Sequence, residues 1–350
     1  MRGNGAKTPG VTHPSHVLSL RPGDIVEVRS ETEILATLDG QGAIDAMPFM
    51  PEMLRYCGRR FRVQSRADKT CDTVTKTGGR RLYHTVHLDT RCDGSGHGGC
   101  HAACLLFWKE AWLKRADSVG EADAAPAGGC TLVQLERAAC RPDPENPASP
   151  VYSCQATRLV DATTKLKWWD ARQYLRDVRT GNARAGKAVF LLARAMVNAI
   201  QRKRGGRQFP SGRPPTRTKT PHEVLDLQPG ELVQVRTLEE ITDTLDVGEK
   251  NRGLRFDVEM IRWCGGTFRV QSRVERIINE QTGRMMKMPT PSIILEGVAC
   301  AAECSRGRLM CPRALPHFWR EIWLRRVPKE ATRTPVPDST DHTYAVSARR

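Results

Sequence analysis

The 350-residue chain is long enough for two or three compact domains, and its 39% hydrophobic and 27% charged residues exclude wholesale disorder. The formal net charge of +16 favours an anionic partner such as nucleic acid or another polyanion. The sequence has no apolar run of about 18 residues and no apolar signal segment near its start, so we expect a cytoplasmic location and no transmembrane segment. In that compartment the twelve cysteines are more typical of metal ligands or thiols than of disulfides.

A long internal repeat is the clearest feature of the sequence. Sliding the chain along itself by 207 positions aligns residues 18–66 with 225–273 without a gap, and 24 of the 49 pairs are identical. After a stretch of unequal length the match resumes at an offset of 211, where FWKEAWLKR faces FWREIWLRR. Residues 18–115 and 225–326 are therefore two diverged copies of one module, named copy one and copy two below.

The predicted elements follow the same order in both copies. A Pro-Gly turn leads into a strand of alternating apolar residues, and a short helix follows over 33–39 and 240–246. A second helical turn ends near Tyr56 and Trp263, and the FRVQSR segment is a second strand. In copy two a turn at Thr282 and Gly283 joins two strands. We expect the matched aromatic pairs Trp108 with Trp112 and Trp319 with Trp323 to lie in the cores.

The Pro-Gly-led run of short strands resembles the small SH3-like barrels, including those of the KOW type. The repeat as a whole resembles a conserved family of bacterial proteins with PGxxVxVR, CG, CPR and FW(R/K)ExWL motifs, a resemblance that implies no particular function. Copy one departs from that pattern at Cys100-His101, where copy two has Cys311-Pro312-Arg313. The expected fold is α+β: two tandem SH3-like small β-barrel modules with short helices, joined by a helical insert.

The segments outside the two copies differ in composition. In the insert, KLKWWDARQYLRDV predicts one helix and KAVFLLARAMVNAI a second, apolar helix, for which a buried core position is preferred to peripheral membrane contact. Either Trp168 or Trp169 lines a pocket or docking surface, or both pack inside a sandwiched helix. The expected division is a flexible N-terminus (1–15), copy one (16–116), a flexible connector (117–150), the helical insert (151–201), a basic Pro-rich linker (202–221) that is extended and solvated, copy two (222–328) and a flexible C-terminal tail (329–350).

Cysteines recur at equivalent places in the two copies. Three thiolates and one further ligand would form a tetrahedral zinc site, although the spacing matches no standard zinc-finger pattern. The alternatives are an iron–sulfur cluster, which is the second choice, and buried thiols that pack as small apolar groups. The candidate ligands in copy one are Cys57, Cys71, Cys92, Cys100, Cys104, His97 and His101, and those in copy two are Cys264, Cys300, Cys304, Cys311 and His317.

These observations favour a non-catalytic binding or scaffold protein whose tandem, metal-stabilised modules recognise an anionic polymer, above all nucleic acid, or a partner protein. The alternative is an enzyme or enzyme accessory of a bacterial biosynthetic pathway that uses the Cys and His residues of copy one as a metal or sulfur-handling site. The candidate anion-binding residues are Arg59, Arg60, Arg62, Arg66, Arg80 and Arg81 in copy one and Arg204, Arg207, Arg213 and Arg217 in the linker.

Overall fold

The computed structural model describes residues 17–75, 78–116, 129–143, 146 and 149–327. The predicted flexible tails (1–15 and 329–350) and residues 117–128 of the predicted connector lie outside the described residues. The helices are α1 (Glu31–Thr37), α2 (Leu132–Ala139), α3 (Arg172–Thr180), α4 (Ala185–Lys203) and α5 (Leu238–Thr242), with 3₁₀ helices at Pro51–Tyr56, Glu110–Trp112, Val258–Trp263, Arg306–Arg308 and Glu321–Trp323.

The strands are short except for one long hairpin in copy two. Copy one holds β1 (Ile25–Val28), β2 (Ala43–Ile44), β3 (Met47–Pro48), β4 (Arg60–Arg66), β5 (Lys69–Cys71), β6 (Gly79–Arg81), β7 (Thr85–Arg91), β8 (Leu105–Lys109) and β9 (Leu113–Arg115). The segment between the copies holds β10 (Cys140–Arg141), β11 (Val151–Tyr152) and β12 (Thr164–Leu166). Copy two holds β13 (Leu232–Val235), β14 (Lys250–Asn251), β15 (Leu254–Arg255), β16 (Thr267–Ile278), β17 (Met285–Leu295) and β18 (Leu324–Arg326).

The fold is a mixed α and β fold with several antiparallel sheets. Each copy builds a half-barrel sheet with the same order of four strands, to which β8 adds a fifth strand in copy one. The strand order is β8-β7-β4-β1-β9 in copy one and β17-β16-β13-β18 in copy two. Ile25 pairs with Arg62 in copy one, and Leu232 pairs with Arg269 in copy two. These pairs are 207 positions apart, so the structure confirms that the repeated sequence builds the same strand register twice.

The short helices begin in the same way in both copies. The Ser30 side chain accepts a hydrogen bond from the backbone N–H of Glu33, and the Glu33 carboxylate accepts one from the N–H of Ser30. Thr237 and Glu240 form the matching capping box at α5. Because a capping box satisfies backbone donors at a helix start, each helix begins two residues earlier than the sequence predicts.

The predicted aromatic residues form the centre of each core. Trp112 and Trp323 are fully buried, and the ring of Phe49 meets Trp112 edge-on at 5.2 Å between centroids. Phe256 meets Trp323 in the same geometry at 5.5 Å. The core prediction is therefore confirmed, and the repeated edge-to-face contact adds to the area that these large side chains bury.

The segment between the copies is more structured than the sequence predicts. The connector prediction is wrong for residues 131–139, where α2 forms and buries Leu135 in the core of copy one. The single helix predicted from Lys165 is also wrong at its start, since residues 164–166 form β12 and pair with β6. The linker is not an extended tether: Arg217 forms a β-bridge with Asp246 of copy two. Tertiary hydrogen bonds override the local pattern at each of these places.

Helix α4 differs most from its predicted environment. Only Ala188, Leu191 and Asn198 of its 19 residues are buried, so the prediction of a buried core helix is wrong. The buried side packs against Tyr174 and Leu309, and the opposite side faces solvent. No helix of the described residues is both long and apolar enough to cross a membrane.

The two copies are in direct contact. The long β16-β17 hairpin reaches the loop before β8, where the backbone N–H of His101 donates to the carbonyl of Arg276 at 3.0 Å. Its turn also contacts the insert, since the N–H of Tyr152 donates to the carbonyl of Gly283 at 2.8 Å. This contact brings side chains of both copies together in one buried region.

Candidate functional site

The repeated cysteines Cys57 and Cys264 end the matching 3₁₀ helices and pack against the two cores. Burial raises the pKa of Cys57 to about 11, and the nearby Glu31 carboxylate adds to the rise. Burial likewise raises the pKa of Cys264 to about 12. Both thiols are therefore protonated at neutral pH and behave as small apolar core groups.

Cys92 and His97 of copy one meet at one buried carboxylate. The Cys92 thiol donates to Glu52 at 3.0 Å, and the His97 Nδ1 lies 3.0 Å from the same oxygen. Although burial disfavours its charged form, the hydrogen bonds from His97 and Cys92 hold the pKa of Glu52 below its usual value. Burial and this carboxylate raise the pKa of Cys92. Cys92 and His97 thus supply the hydrogen-bond partners that the buried Glu52 carboxylate needs inside copy one.

The second half of the HGGCHAAC segment (residues 97–104) faces copy two. The Cys100 sulfur accepts a hydrogen bond from the N–H of Ile278 at 3.4 Å, and the His101 Nδ1 accepts one from the N–H of Glu275 at 3.2 Å. Burial raises the pKa of Cys104 to about 12. A protonated thiol is a poor nucleophile, so the raised pKa of Cys104 adds no support to the enzyme hypothesis.

Three cysteines from different copies meet at the junction. Cys71 of copy one packs with Cys300 and Cys311 of copy two in a small buried cluster. A hydrogen bond from Cys311, together with the cations of Arg313 and Arg308, lowers the pKa of Cys71 to about 6 despite its burial. The two pKa values are shifted in opposite directions, which favours a thiolate at Cys71 and a protonated thiol at Cys311.

Of the remaining candidate ligands of copy two, Cys304 lies beside Glu259. The backbone N–H of Cys304 donates to the Glu259 carboxylate at 2.7 Å, and burial raises the pKa of Cys304 and Cys300 to about 12. Burial lowers the pKa of His317 to about 4. Within residues 17–327, wherever the structure describes them, no three or more Cys, His, Asp or Glu side chains form a group able to hold a metal ion. The zinc and iron–sulfur sites stay predictions.

The predicted anion-binding arginines fall into two groups. Arg66 and Arg80 are buried and bind internal partners: Arg66 pairs with Asp68 and Glu110, and Arg80 donates to the Thr163 side chain and carbonyl. The others lie at or near the surface, where several contact an acid, a carbonyl or an aromatic ring. These are Arg59 on the Tyr56 and Phe61 rings, Arg60 with Glu27, Arg62 on the Gly23 carbonyl, Arg81 with Asp170, Arg204 at the end of α4, Arg207 with Glu249, Arg213 with Asp243, and Arg217 in its β-bridge.

A basic hollow that sequence reasoning missed lies between α3 and copy one. Its volume is about 580 Å³. Arg172, Arg176 and Arg179 line it from one face of α3, because a spacing of four and three residues returns to the same side of a helix. Arg21 lines the opposite wall, and Tyr83, whose surface is 49% exposed, supplies an aromatic ring.

A second hollow adjoins the first at Arg172. It has a volume of about 420 Å³, and its cationic lining includes Lys165 and Lys167. The indole of Trp169 is 62% exposed there, with the Lys167 ammonium 5.6 Å from its ring centroid. Asp170 is the one acid that lines this hollow among the described residues, and it is paired with Arg172 at 3.0 Å. The two hollows, named the basic groove below, form one cationic surface with exposed aromatic rings.

Buried polar contacts hold α3 in place beneath this groove. On the inner side of the helix, the Lys69 ammonium pairs with Asp177 at 2.5 Å, and both side chains are nearly inaccessible to solvent. Asn182 follows the helix and exchanges two hydrogen bonds with the backbone of Arg66 on β4. Gly181 ends α3 with φ at 86°, a left-handed conformation that glycine adopts without strain. These contacts give the exposed arginines a fixed position.

One sequence pattern could have indicated this basic surface. Arg172, Arg176 and Arg179 have helical spacing, but the predicted helix began near Lys165 and assigned the tryptophans to it. The contribution of Arg21 and Tyr83 depends on chain segments far apart in sequence. Comparison of the chain with protein-family models, with curated proteins and with solved structures gives no match, so the groove is interpreted from its own chemistry.

Proposed function

We propose that the protein binds single-stranded nucleic acid in the basic groove and acts as a binding or scaffold protein rather than through catalysis. The observation that carries this proposal is the position of Arg172, which lines both hollows and joins them into one surface. A continuous cationic track is the feature that follows a phosphate backbone.

The charge of the groove supports an anionic ligand. Asp68 pairs with buried Arg66, and Asp170 pairs with Arg172, so the two acids in the lining are already neutralised. Among the described residues, Arg176 and Arg179 form no ion pair that would compete with a ligand. Their guanidinium groups can donate two parallel hydrogen bonds to a phosphate.

The exposed rings support a nucleic acid over a simple polyanion. Trp169 and Tyr83 leave about half or more of their surface in solvent at the edge of the groove. Such rings form platforms on which unpaired bases stack, whereas the bases of a duplex are stacked inside the helix. This difference favours a single strand.

The duplicated modules give the proposal its architecture. We propose that each half-barrel is an SH3-like module, supported by the matched strand order and register of the two copies. The structural zinc ions predicted from the cysteines belong to the same proposal, and elemental analysis tests them separately. A second module on the same chain supplies a further contact at high effective concentration, which increases the overall affinity.

The proposal is tested by fluorescence anisotropy with a labelled oligothymidylate of about 16 nucleotides, the upper end of known site sizes. The test variant combines Arg172→Gln with Arg176→Gln, and the matched control combines the surface residues Arg325→Gln with Arg326→Gln in copy two. We expect the test variant to bind at least roughly tenfold more weakly and the control to bind within about twofold of the wild type.

Two results would contradict the proposal. One is the absence of wild-type binding at low salt, and the other is an equal loss in both variants, since that would reflect net charge rather than the groove. A labelled duplex of the same length is measured in parallel. Tighter binding of the duplex would assign the protein to double-stranded nucleic acid and overturn the single-strand choice.

A further inference from the structure

Helix α4 carries a continuous apolar surface that the described residues of the protein leave uncovered. Val189, Phe190 and Met196 are 67%, 61% and 64% exposed. Leu192, Val197 and Ile200 are also exposed, and Ala185, Gly186 and Ala193 complete the same side. No charged or polar residue interrupts this side of the helix before Lys203, so we name it the apolar face of α4.

The width of this face distinguishes it from the seam of a coiled coil. With about 100° between successive helix residues, the exposed apolar positions cover roughly 160° of the helix circumference. A coiled-coil seam needs only two positions in seven and is much narrower. A face this wide and four turns long is typical of a helix that lies in the plane of a membrane interface.

The charges around the face have one sign. Residues 178–222 contain eleven Lys or Arg and no Asp or Glu. Arg202, Lys203 and Arg204 lie at the end of the helix, and Lys187 lies at its side, paired with Glu303 of copy two. These four residues form a basic rim beside the apolar face. Such a rim complements a surface that is both apolar and negatively charged.

The same charges argue against a second copy of the chain as the occupant. A two-fold interface places one surface against itself, so an all-basic rim would face an all-basic rim. Like charges that face each other across such an interface repel. Glu303 is already paired with Lys187 and does not offset the charges of Arg202, Lys203 and Arg204. A partner with negative charges removes this cost.

We propose that the apolar face of α4 docks in the headgroup region of a bilayer that contains anionic lipids, with the helix parallel to the membrane plane. The apolar side chains enter the boundary between headgroups and acyl chains, and the basic rim contacts the lipid phosphates and carboxylates. The helix is too short and too polar on its inner side to span the bilayer, so the contact is peripheral. This reverses the preference drawn from the sequence, because the exposure of the face was visible only in the fold.

Vesicle flotation tests the proposal with the full chain after nuclease treatment. The probes are vesicles of phosphatidylcholine alone and vesicles of phosphatidylcholine with phosphatidylserine. The test variant combines Val189→Gln with Met196→Gln, two residues that lie two helical turns apart on the face. The control combines Val224→Gln with Val247→Gln, two equally exposed apolar residues of the linker end and copy two.

We expect the wild type and the control to float with the phosphatidylserine vesicles, and the test variant to partition at least roughly tenfold less. Flotation with phosphatidylcholine alone should be weak because the basic rim then has no partner. Circular dichroism of each variant confirms that the fold is retained. Changes at exposed positions are expected to leave the fold intact.

Three outcomes would overturn the proposal. They are a wild type that stays with the unbound fraction, equal flotation of the test variant and the wild type, and equal flotation with neutral and anionic vesicles. Sedimentation velocity without lipid supplies the fourth check. A dimer that the test variant dissociates, with the control unaffected, would assign the apolar face to a second copy of this chain instead.

Discussion

Cys71 of copy one packs against Cys311 of copy two, so the two halves of the duplication meet at a pair of cysteines. The pair is buried, and the fully buried guanidinium of Arg313 lies beside it and also donates to the carbonyl of Cys71 at 3.3 Å. One thiolate, one thiol and a buried cation together stabilise the junction between the copies.

The lowered pKa of Cys71 predicts a pH-dependent stability. Its pKa falls from 9.0 to about 6 on folding, so the folded state binds fewer protons between these values. The stabilisation is therefore full above pH 9 and is lost as the pH falls towards 6. Cys311 contributes no slope in this window, because its pKa is raised and its stabilisation is lost only above pH 9.

Urea denaturation under reducing conditions measures this effect. We expect the difference in unfolding free energy between the wild type and Cys71→Ser to increase as the pH rises from 6 to 9. Thiolate absorbance near 240 nm supplies an independent readout, since the variant should lose the titration near pH 6. A difference that does not change with pH would show that Cys71 is a neutral thiol.

A buried ion pair recurs in both copies and predicts a large stability effect. Arg66 pairs with Glu110 at 2.9 Å, and Arg273 pairs with Glu321 at 2.8 Å. We expect Glu110→Ala to lower the unfolding free energy by about 3–5 kcal/mol. The change removes one of the two acids that pair with the buried Arg66 guanidinium, and it leaves the backbone N–H groups of residues 18–20 without their acceptor. Glu231→Ala, which breaks a surface pair with Arg326, should cost no more than about 1 kcal/mol.

Thermal and urea unfolding of these variants test the comparison. Glu321→Ala should fall between the other two, because the Arg273 side chain is more exposed than that of Arg66. Equal effects of Glu110→Ala and Glu231→Ala would contradict the argument from burial.

Salt dependence predicts how many groove residues contact phosphate. For a single strand, the slope of log Kobs against log salt changes by about 0.7 for each phosphate contact. The double variant Arg172→Gln with Arg176→Gln should therefore reduce the slope by about 1.4, which corresponds to the loss of two phosphate contacts. Anisotropy titrations from low to physiological salt measure it, and an unchanged slope would remove these arginines from the phosphate contacts.

The aromatic contribution has a different signature. Trp169→Ala should weaken oligonucleotide binding by about 1–3 kcal/mol while leaving the salt slope unchanged, because stacking releases no counterions. Trp169→Phe retains a ring and is expected to recover part of the affinity. A loss that Trp169→Phe fails to recover would argue for a structural role of this tryptophan.

Elemental analysis checks the zinc prediction on protein purified without added metal or a histidine tag. The repeat predicts about two zinc ions per chain, with the content reduced by Cys100→Ser in copy one and by Cys311→Ser in copy two. Iron with sulfide would favour the cluster alternative. A folded protein free of metal would contradict both and leave the cysteines as buried thiols.

Much of each module could be predicted from the sequence because its determinants are local. The Pro-Gly turn, the short helices that follow and the alternating strands each depend on residues a few positions apart. The duplication added a second copy of every such signal, and the matched Trp112 and Trp323 indicated the cores. None of these features required knowledge of contacts distant in sequence.

The candidate site was largely out of reach for the opposite reason. The sequence predicted Arg66 and Arg80 as anion-binding residues. The tertiary structure instead buries both against partners far along the chain. The sequence predicted Cys71 as a ligand within copy one, but the fold places it with Cys311 of copy two. The ion pairs and thiol contacts depend on chain topology, which local spacing does not encode.

The sequence by itself determined that one module was duplicated, that the matched tryptophans lie in its cores and that the chain is strongly basic. Only the tertiary structure decided which cations stay exposed beside Tyr83 and Trp169, which thiols meet at the junction, and that α4 presents its apolar face to solvent. The physical reason is that composition and periodicity state which groups can be buried, whereas packing between distant segments selects which groups are buried.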